Sequence, residues 1–198
     1  MSPTTPTALL IIDMQTVFLP MTRTALPHIL TLTHHFLSHN LPIIATQHGH
    51  SPADLSPPFA NQLVRKWGVD GSIATGSRNW ELIPEIQELV TKDDIPVVPK
   101  NTYDAFLGTG TEGEKRLDEC LEEAGVRPGE GRVVVVGVMT DCCVDTTGRS
   151  AFNRGFETWV VGDACGSGSG EQHERGLKGF AFAFGEVLGT EEVVGWLK

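Results

Sequence analysis

The 198 residues are 40% apolar and 20% charged, which supplies the core of one packed domain and excludes a disordered chain. Fifteen Lys+Arg stand against 25 Asp+Glu, a net charge of −10 without any basic cluster, which argues against nucleic acid or an anionic membrane as partner. The longest apolar stretch near the N-terminus, Ala8–Ile12, is five residues, against the roughly 20 of a membrane-spanning helix.

In chain order, the opening MSPTTPT has no positive charge and no apolar run, so no secretory leader is expected and residues 1–7 are expected to be flexible. A strand is predicted over Ala8–Asp13, a helix over Leu26–Leu37 and a second strand over Pro42–Thr46. The stretch Gly49–Asn79 is rich in Pro, Gly and Ser and has no clean period. It reads as a long excursion with one short helix around Pro58–Trp67, placed where loops commonly cover sites. A helix over Glu81–Val90 and a strand over Ile95–Val98 follow. Then come a helix over Glu112–Ala124, a strand over Arg132–Val138 and a helix over Asp141–Asn153. The pattern closes with a strand over Thr158–Gly162, a helix over Glu171–Phe182 and a weaker strand near Gly185–Leu188. Gly125, Gly155 and Gly185 fall where helix C-caps belong. Continuous rather than alternating apolar runs suit strands covered on both faces. The fold expected is α/β: a three-layer, Rossmann-like single domain over 1–198 with a mainly parallel six-stranded sheet.

Four cysteines, Cys120, Cys142, Cys143 and Cys165, include two neighbours and no C-x-x-C pair. Neither a zinc knuckle nor a disulfide framework fits, so a reducing, cytoplasmic setting is expected. In doubly wound sheets, ligands bind beyond the carboxyl ends of the strands. Three reactive residue types fall there: Asp13 in IIDMQ, Lys100 in VVPKNTYDAF, and the two thiols of VVVVGVMTDCCV. A helix N-terminus and a nearby ammonium lower a thiol's pKa, and a carboxylate accepts its proton and returns it to a leaving amine. Backbone N–H groups around Val138-Met139-Thr140 and at Cys143 would hold an oxyanion. That set points to acyl transfer from an amide.

The ordered motifs IIDMQ..F, K…AF, G-V-x-T-x-x-C-V and the following AF..G resemble the isochorismatase-like cysteine hydrolases, over about Ala8 to Val194. The superfamily includes nicotinamidases, N-carbamoylsarcosine amidases and ureidoacrylate amidohydrolases. The resemblance implies Asp13 as general acid/base, Lys100 as electrostatic partner and Cys143 as nucleophile, with Cys142 pointing elsewhere. It implies a cis Val138–Met139 peptide, the N–H groups of Met139 and Cys143 as oxyanion hole, and a homodimer or homotetramer. It also implies a small-molecule substrate carrying an amide, carbamoyl or ureido C–N bond.

Two departures stand out. Nicotinamidases carry an Asp-x-His pair and a further His for a divalent metal, whereas this chain has His48 and His50 in ATQHGH, with Asp54 the one substitute for the missing ligand. No metal and no other cofactor is therefore expected. The DMQNDF form of the first motif is here DMQTVF. Phe18, His48, Trp80, Tyr103 and Phe106 are the pocket-lining candidates, and His173 is expected to be structural. The alternatives carried forward are a vinyl ether hydrolase of the same fold and a non-catalytic flavodoxin-like binding module.

Overall fold

The computed structural model of the protein describes residues 5–197. Six strands form one all-parallel sheet in the order β3-β2-β1-β4-β5-β6. They are β1 (Thr7–Ile12), β2 (Ile43–His48), β3 (Val97–Lys100), β4 (Arg132–Val138), β5 (Glu157–Gly166) and β6 (Glu186–Leu188). The helices are α1 (Leu19–Thr22), α2 (Leu26–Ser38), α3 (Gln62–Trp67), α4 (Pro84–Lys92), α5 (Leu117–Glu123), α6 (Asp145–Asn153), α7 (Gly170–Ala183) and α8 (Thr190–Trp196).

The central strands show why the apolar runs are continuous. In β1, Leu9 and Ile11 pack with Ile29 and Phe36 of α2, Ile86 of α4 and Val193 of α8. Ala8, Leu10 and Ile12 face the other way, with Leu121 of α5, Ala151 of α6 and Phe180 of α7. Val134 and Val136 of β4 join the first core, Val133 and Val135 the second. Both faces are dry, so both registers of the period-2 pattern must be apolar.

Several boundaries differ from the sequence reading. Residues 1–4 lie outside those described, but Thr7 already belongs to β1 at 2% exposure, and Pro6 accepts a hydrogen bond from Arg132 N–H. The predicted flexible segment is therefore shorter at its C-terminal end. Pro84 at the first turn of α4 delays that helix past Glu81. In α5, the Glu119 carboxylate accepts from Arg116 N–H and starts the helix there, not at Glu112. Gly185 follows the C-cap Phe184 of α7 but is not in the left-handed conformation, so it is no left-handed cap. It is a close approach: a Cβ there would sit 2.1 Å from the Thr158 carbonyl oxygen.

Candidate active site

The chain leaves β1 toward β2 on one side and β4 toward β5 on the other, so the carboxyl ends of β1 and β4 flank the topological switch point. Asp13 follows β1 in a left-handed conformation (φ 49°), which Asp tolerates better than most residues. Gly137 near the end of β4 has φ 112°, and a Cβ there would lie 2.2 Å from the Ile12 carbonyl oxygen. Only glycine lets the β4 backbone press this closely on the end of β1.

Lys100 ends β3, which lies two strands from β1 with β2 between them. Asp13 and Lys100 are completely buried and Cys143 is 5% exposed. The Lys100 Nζ lies 2.6 Å from Asp13 Oδ2 and 3.3 Å from Cys143 Sγ, and it donates to the Thr102 carbonyl at 2.9 Å. An ammonium has three N–H donors, and three partners meet it. Asp13 Oδ1 accepts from Thr46 Oγ1 at 2.7 Å. Sequence reasoning singled out Asp13, Lys100 and Cys143, and the fold brings them together.

The electrostatics correct one expectation. Burial pushes the Cys143 thiol well above the ordinary thiol range; Lys100 pulls it down, but Asp13 adds to the rise. For Lys100, burial acts against the ammonium, and the Asp13 carboxylate and Cys143 outweigh it, so the lysine sits above its ordinary value. The Cys143 thiol is thus pushed above its ordinary value, against the expectation that the neighbouring ammonium lowers it. Full desolvation at Cys143 is the reason.

Cys143 lies in a wide π-type turn, Thr140–Val144, between β4 and α6. The Val138–Met139 peptide is cis, as the resemblance implies. The Met139 carbonyl accepts from Cys142 and Val144 N–H, whereas the Met139 N–H has no acceptor among the described residues. Thr140 Oγ1 and His173 Nδ1 are 2.8 Å apart, fastening the turn to α7 and giving His173 its structural part.

A cavity of about 300 Å³ opens above Cys143, lined by Phe18, His48 and Tyr103 as expected. Two other candidates are corrected. Phe106 is fully buried, its ring centroid 6.1 Å from that of Phe156 and with the Arg154 guanidinium 4.4 Å from the ring centre, so it belongs to the core. Trp80 lies against Gly49, where a Cβ would meet its Cδ1 at 2.6 Å, and borders a separate polar cavity of about 220 Å³. Cys142 also departs from expectation: it lines the cavity beside Cys143 because the wide turn lets both neighbours reach the wall. Burial raises its thiol to about 11.

Sequence reasoning missed Met21, and it missed Leu63 and Trp67 of α3, all of which wall the cavity. The signal available was only that the excursion is long. Trp67 Nε1–H donates to the Tyr103 hydroxyl at 2.9 Å across the rim. Gln15 holds the other wall, donating to the His48 carbonyl and accepting from its N–H, both at 2.9 Å.

The donors do not fit a metal centre. His48 and His50 stand perpendicular with centroids 4.9 Å apart. Asp54 Oδ2 is taken by the Ser51 N–H and hydroxyl, and among the described residues no three His, Cys, Asp or Glu side chains converge. Two imidazoles alone make a weak site.

Comparison with known proteins places the chain in a family. The Isochorismatase domain family matches residues 7–192. Nicotinamidase 3 of Arabidopsis thaliana is 36% identical over 187 residues, 94% of this chain and 86% of that protein. Ureidoacrylate amidohydrolase RutB of Acinetobacter baylyi is 31% identical over 123 residues, 62% of this chain and 45% of that protein. Among solved structures, a cysteine hydrolase from Pseudomonas syringae pv. phaseolicola superposes with a TM-score of 0.79 at 23% identity, covering 100% of this chain and 98% of that one; this likeness concerns the fold. The chain belongs to the isochorismatase family of hydrolases.

Proposed function

We propose that this hydrolase cleaves the C–N bond of a small amide, carbamoyl or ureido compound through an acyl-enzyme on Cys143. The observation that carries the reading is the contact set of 2.6 Å and 3.3 Å from Lys100 Nζ to Asp13 and Cys143, under a cavity that opens on the thiol. The names of the relatives, a nicotinamidase and a ureidoacrylate amidohydrolase, support amide chemistry.

In this reading the Cys143 proton passes to Asp13 as Sγ attacks the substrate carbonyl, and the new oxyanion is held by the N–H groups of Met139 and Cys143. Asp13 then gives that proton to the leaving nitrogen, the C–N bond breaks, and a thioester remains. Water attacks the thioester with Asp13 as base, and Cys143 recovers its proton as the acid product leaves. Lys100 keeps its charge throughout and offsets the negative charge shared by Asp13 and Sγ.

The reaction is tested by ammonia release from a panel of small amides, ureas and carbamoyl compounds, nicotinamide included, against the Cys143→Ala variant. Turnover that depends on Cys143 is expected. A panel without ammonia release but with vinyl ether cleavage replaces the amidase with the other hydrolase of this fold. No turnover and no thiol reactivity leaves a binding module.

A further inference from the structure

The reaction proposed for Cys143 leaves its neighbour unused. Cys142 and Cys143 both carry free thiols and both line the cavity of about 300 Å³, since Thr140–Val144 turns more widely than an α-helix. Both sulfurs bear on Tyr103, a third residue of that wall. Burial raises its phenol, the Trp67 hydrogen bond opposes the rise, and negative charge on either thiol adds to it. Burial raises both thiols too, and the Lys100 charge opposes the rise at each. Two neighbouring sulfurs thus share one electrostatic environment and one opening.

Three observations narrow what such a pair can hold. The peptide joining the two cysteines is trans, which sets their Cα atoms about 3.8 Å apart. A disulfide commonly spans roughly 4.4–6.8 Å, so one atom bridging the sulfurs suits this spacing better than a direct S–S bond. Among the described residues no three His, Cys, Asp or Glu side chains converge, so a closed four-ligand metal site is not available. Trivalent arsenic is a soft, thiol-seeking centre of pyramidal, three-coordinate geometry. When it carries a carbon substituent of its own, it needs only two thiols from a protein. The cavity wall has no Lys, Arg, Asp or Glu, and Phe18, Met21, Leu63 and Trp67 give it apolar surface. An uncharged species with an apolar arm fits there, whereas an ion would lose its water without return.

From these observations we infer that Cys142 and Cys143 form a two-thiol site for a monosubstituted trivalent arsenical, an uncharged R–As(OH)2 whose organic arm R rests on the apolar wall. Binding is a condensation. Two As–S bonds form, two As–O bonds break, and each thiol proton leaves with an arsenic-bound oxygen as water. Arsenic stays trivalent and the sulfurs keep their oxidation level, so no oxidant or reductant enters. Because the ligand's own oxygen takes the proton, capture needs no thiolate at Cys142, which burial raises to about 11. The inference concerns binding and does not rest on the amidase reading.

The test is native mass spectrometry of the full chain with phenylarsine oxide, which hydrates to phenylarsonous acid, in an excess of 2-mercaptoethanol. A two-thiol bridge adds one phenylarsenic group less two hydrogens, whereas attachment to one thiol keeps an oxygen on arsenic. The unmodified protein should carry the bridged form and release it to 2,3-dimercaptopropanol. Trypsin should leave it on the peptide spanning 133–149, which contains neither Cys120 nor Cys165. Cys142→Ala and Cys143→Ala should each weaken retention at least about a hundredfold, the gain from joining two attachments in one site. Methylarsonous acid should bind about tenfold more weakly than phenylarsonous acid, because the burial of the ring is lost.

An adduct that keeps an arsenic-bound oxygen, an adduct on another peptide, or equal retention by Cys142→Ala overturns the inference. Equal affinity for the methyl and phenyl forms overturns the placement of the arm. The bridged mass is read on the unmodified protein, so it decides the two-thiol claim even where a cysteine variant fails to fold.

Discussion

The strand ends that carry Asp13, Lys100 and Cys143 and the excursion that carries Leu63 and Trp67 wall one cavity by opposite means. At the strand ends, Asp13 and Lys100 have no exposed surface and every donor of the ammonium is engaged. Along the excursion, Trp67 is 56% exposed, and side-chain bonds such as Asn61 to the Asn101 carbonyl (2.9 Å) and Trp67 to Tyr103 (2.9 Å) tie it to the body. In the proposed reaction the sheet fixes the reacting atoms and the excursion shapes what reaches them. Changes at the strand ends should therefore act on chemistry and stability together, and changes on the excursion on substrate affinity alone.

The largest effect is expected at the proposed nucleophile. Cys143→Ala should lower ammonia release by at least about a thousandfold without loss of the fold, and Cys143→Ser should do little better, since a hydroxyl is a far weaker acid. Far-UV circular dichroism beside the ammonia assay checks both halves of that statement.

Lys100→Met comes next and probes stability directly. It leaves the Asp13 carboxylate buried without its countercharge, a loss of about 3–5 kcal/mol in urea unfolding. Adding Asp13→Leu should recover much of that loss without restoring turnover. Simple additivity of the two losses would mean that the pair is not the unit described here.

Two titrations separate the walls by sign. The native Cys143 thiol holds its proton to higher pH than an unfolded cysteine, whose value is about 8.5. Its contribution to stability is therefore complete below about pH 8.5 and declines above it, while alkylation of Cys143 speeds up as pH rises. His48 behaves in the opposite sense: the unfolded ring takes a proton near 6.5 and the folded ring only near 3. Stability from neutral His48 is present above about pH 6.5 and is lost as pH falls toward 3, up to about 4–5 kcal/mol. His48→Phe should remove that part of the acid sensitivity, as read from urea midpoints across pH.

The smallest effect is expected on the excursion. Trp67→Phe keeps a ring over the cavity and removes the donor to Tyr103. KM should rise by about two- to tenfold, the worth of one exposed-side hydrogen bond, with kcat within twofold. A matching fall in kcat would place Trp67 among the groups that set the chemistry and blur the contrast.

The same contrast explains what the sequence revealed. β4 matches its predicted range, Arg132–Val138, because a strand dry on both faces leaves a run of β-branched residues that no other element produces. Asp13, Lys100 and the adjacent thiols were legible because each ends or follows such a run. Phe106 and Trp80 were not, since an aromatic near a site motif looks the same whether it turns to the core or to the cavity. Cys142 was misplaced because the rule that helix neighbours face apart assumes an α-helical turn, and Thr140–Val144 is wider. The upward push on the Cys143 thiol was also hidden: burial to 5% exposure is a property of the assembled fold, whereas the neighbouring cation could be read from the motif. The walls from Leu63 to Ile73 come from a segment without periodicity, so nothing local marked their direction.

The central claim is that Cys143, held against the Lys100–Asp13 pair, carries the acyl group. The direct measurement is rapid acid quench during turnover of an amide that the panel identifies, followed by peptide mass spectrometry. The account predicts a substrate-derived acyl mass on Cys143 as a hydroxylamine-labile thioester, absent from Cys142 and lost with Asp13→Asn, which can neither take the thiol proton nor protonate the leaving nitrogen. An acyl mass on Cys142, or full ammonia release by Cys143→Ala with no adduct on any cysteine, would contradict it.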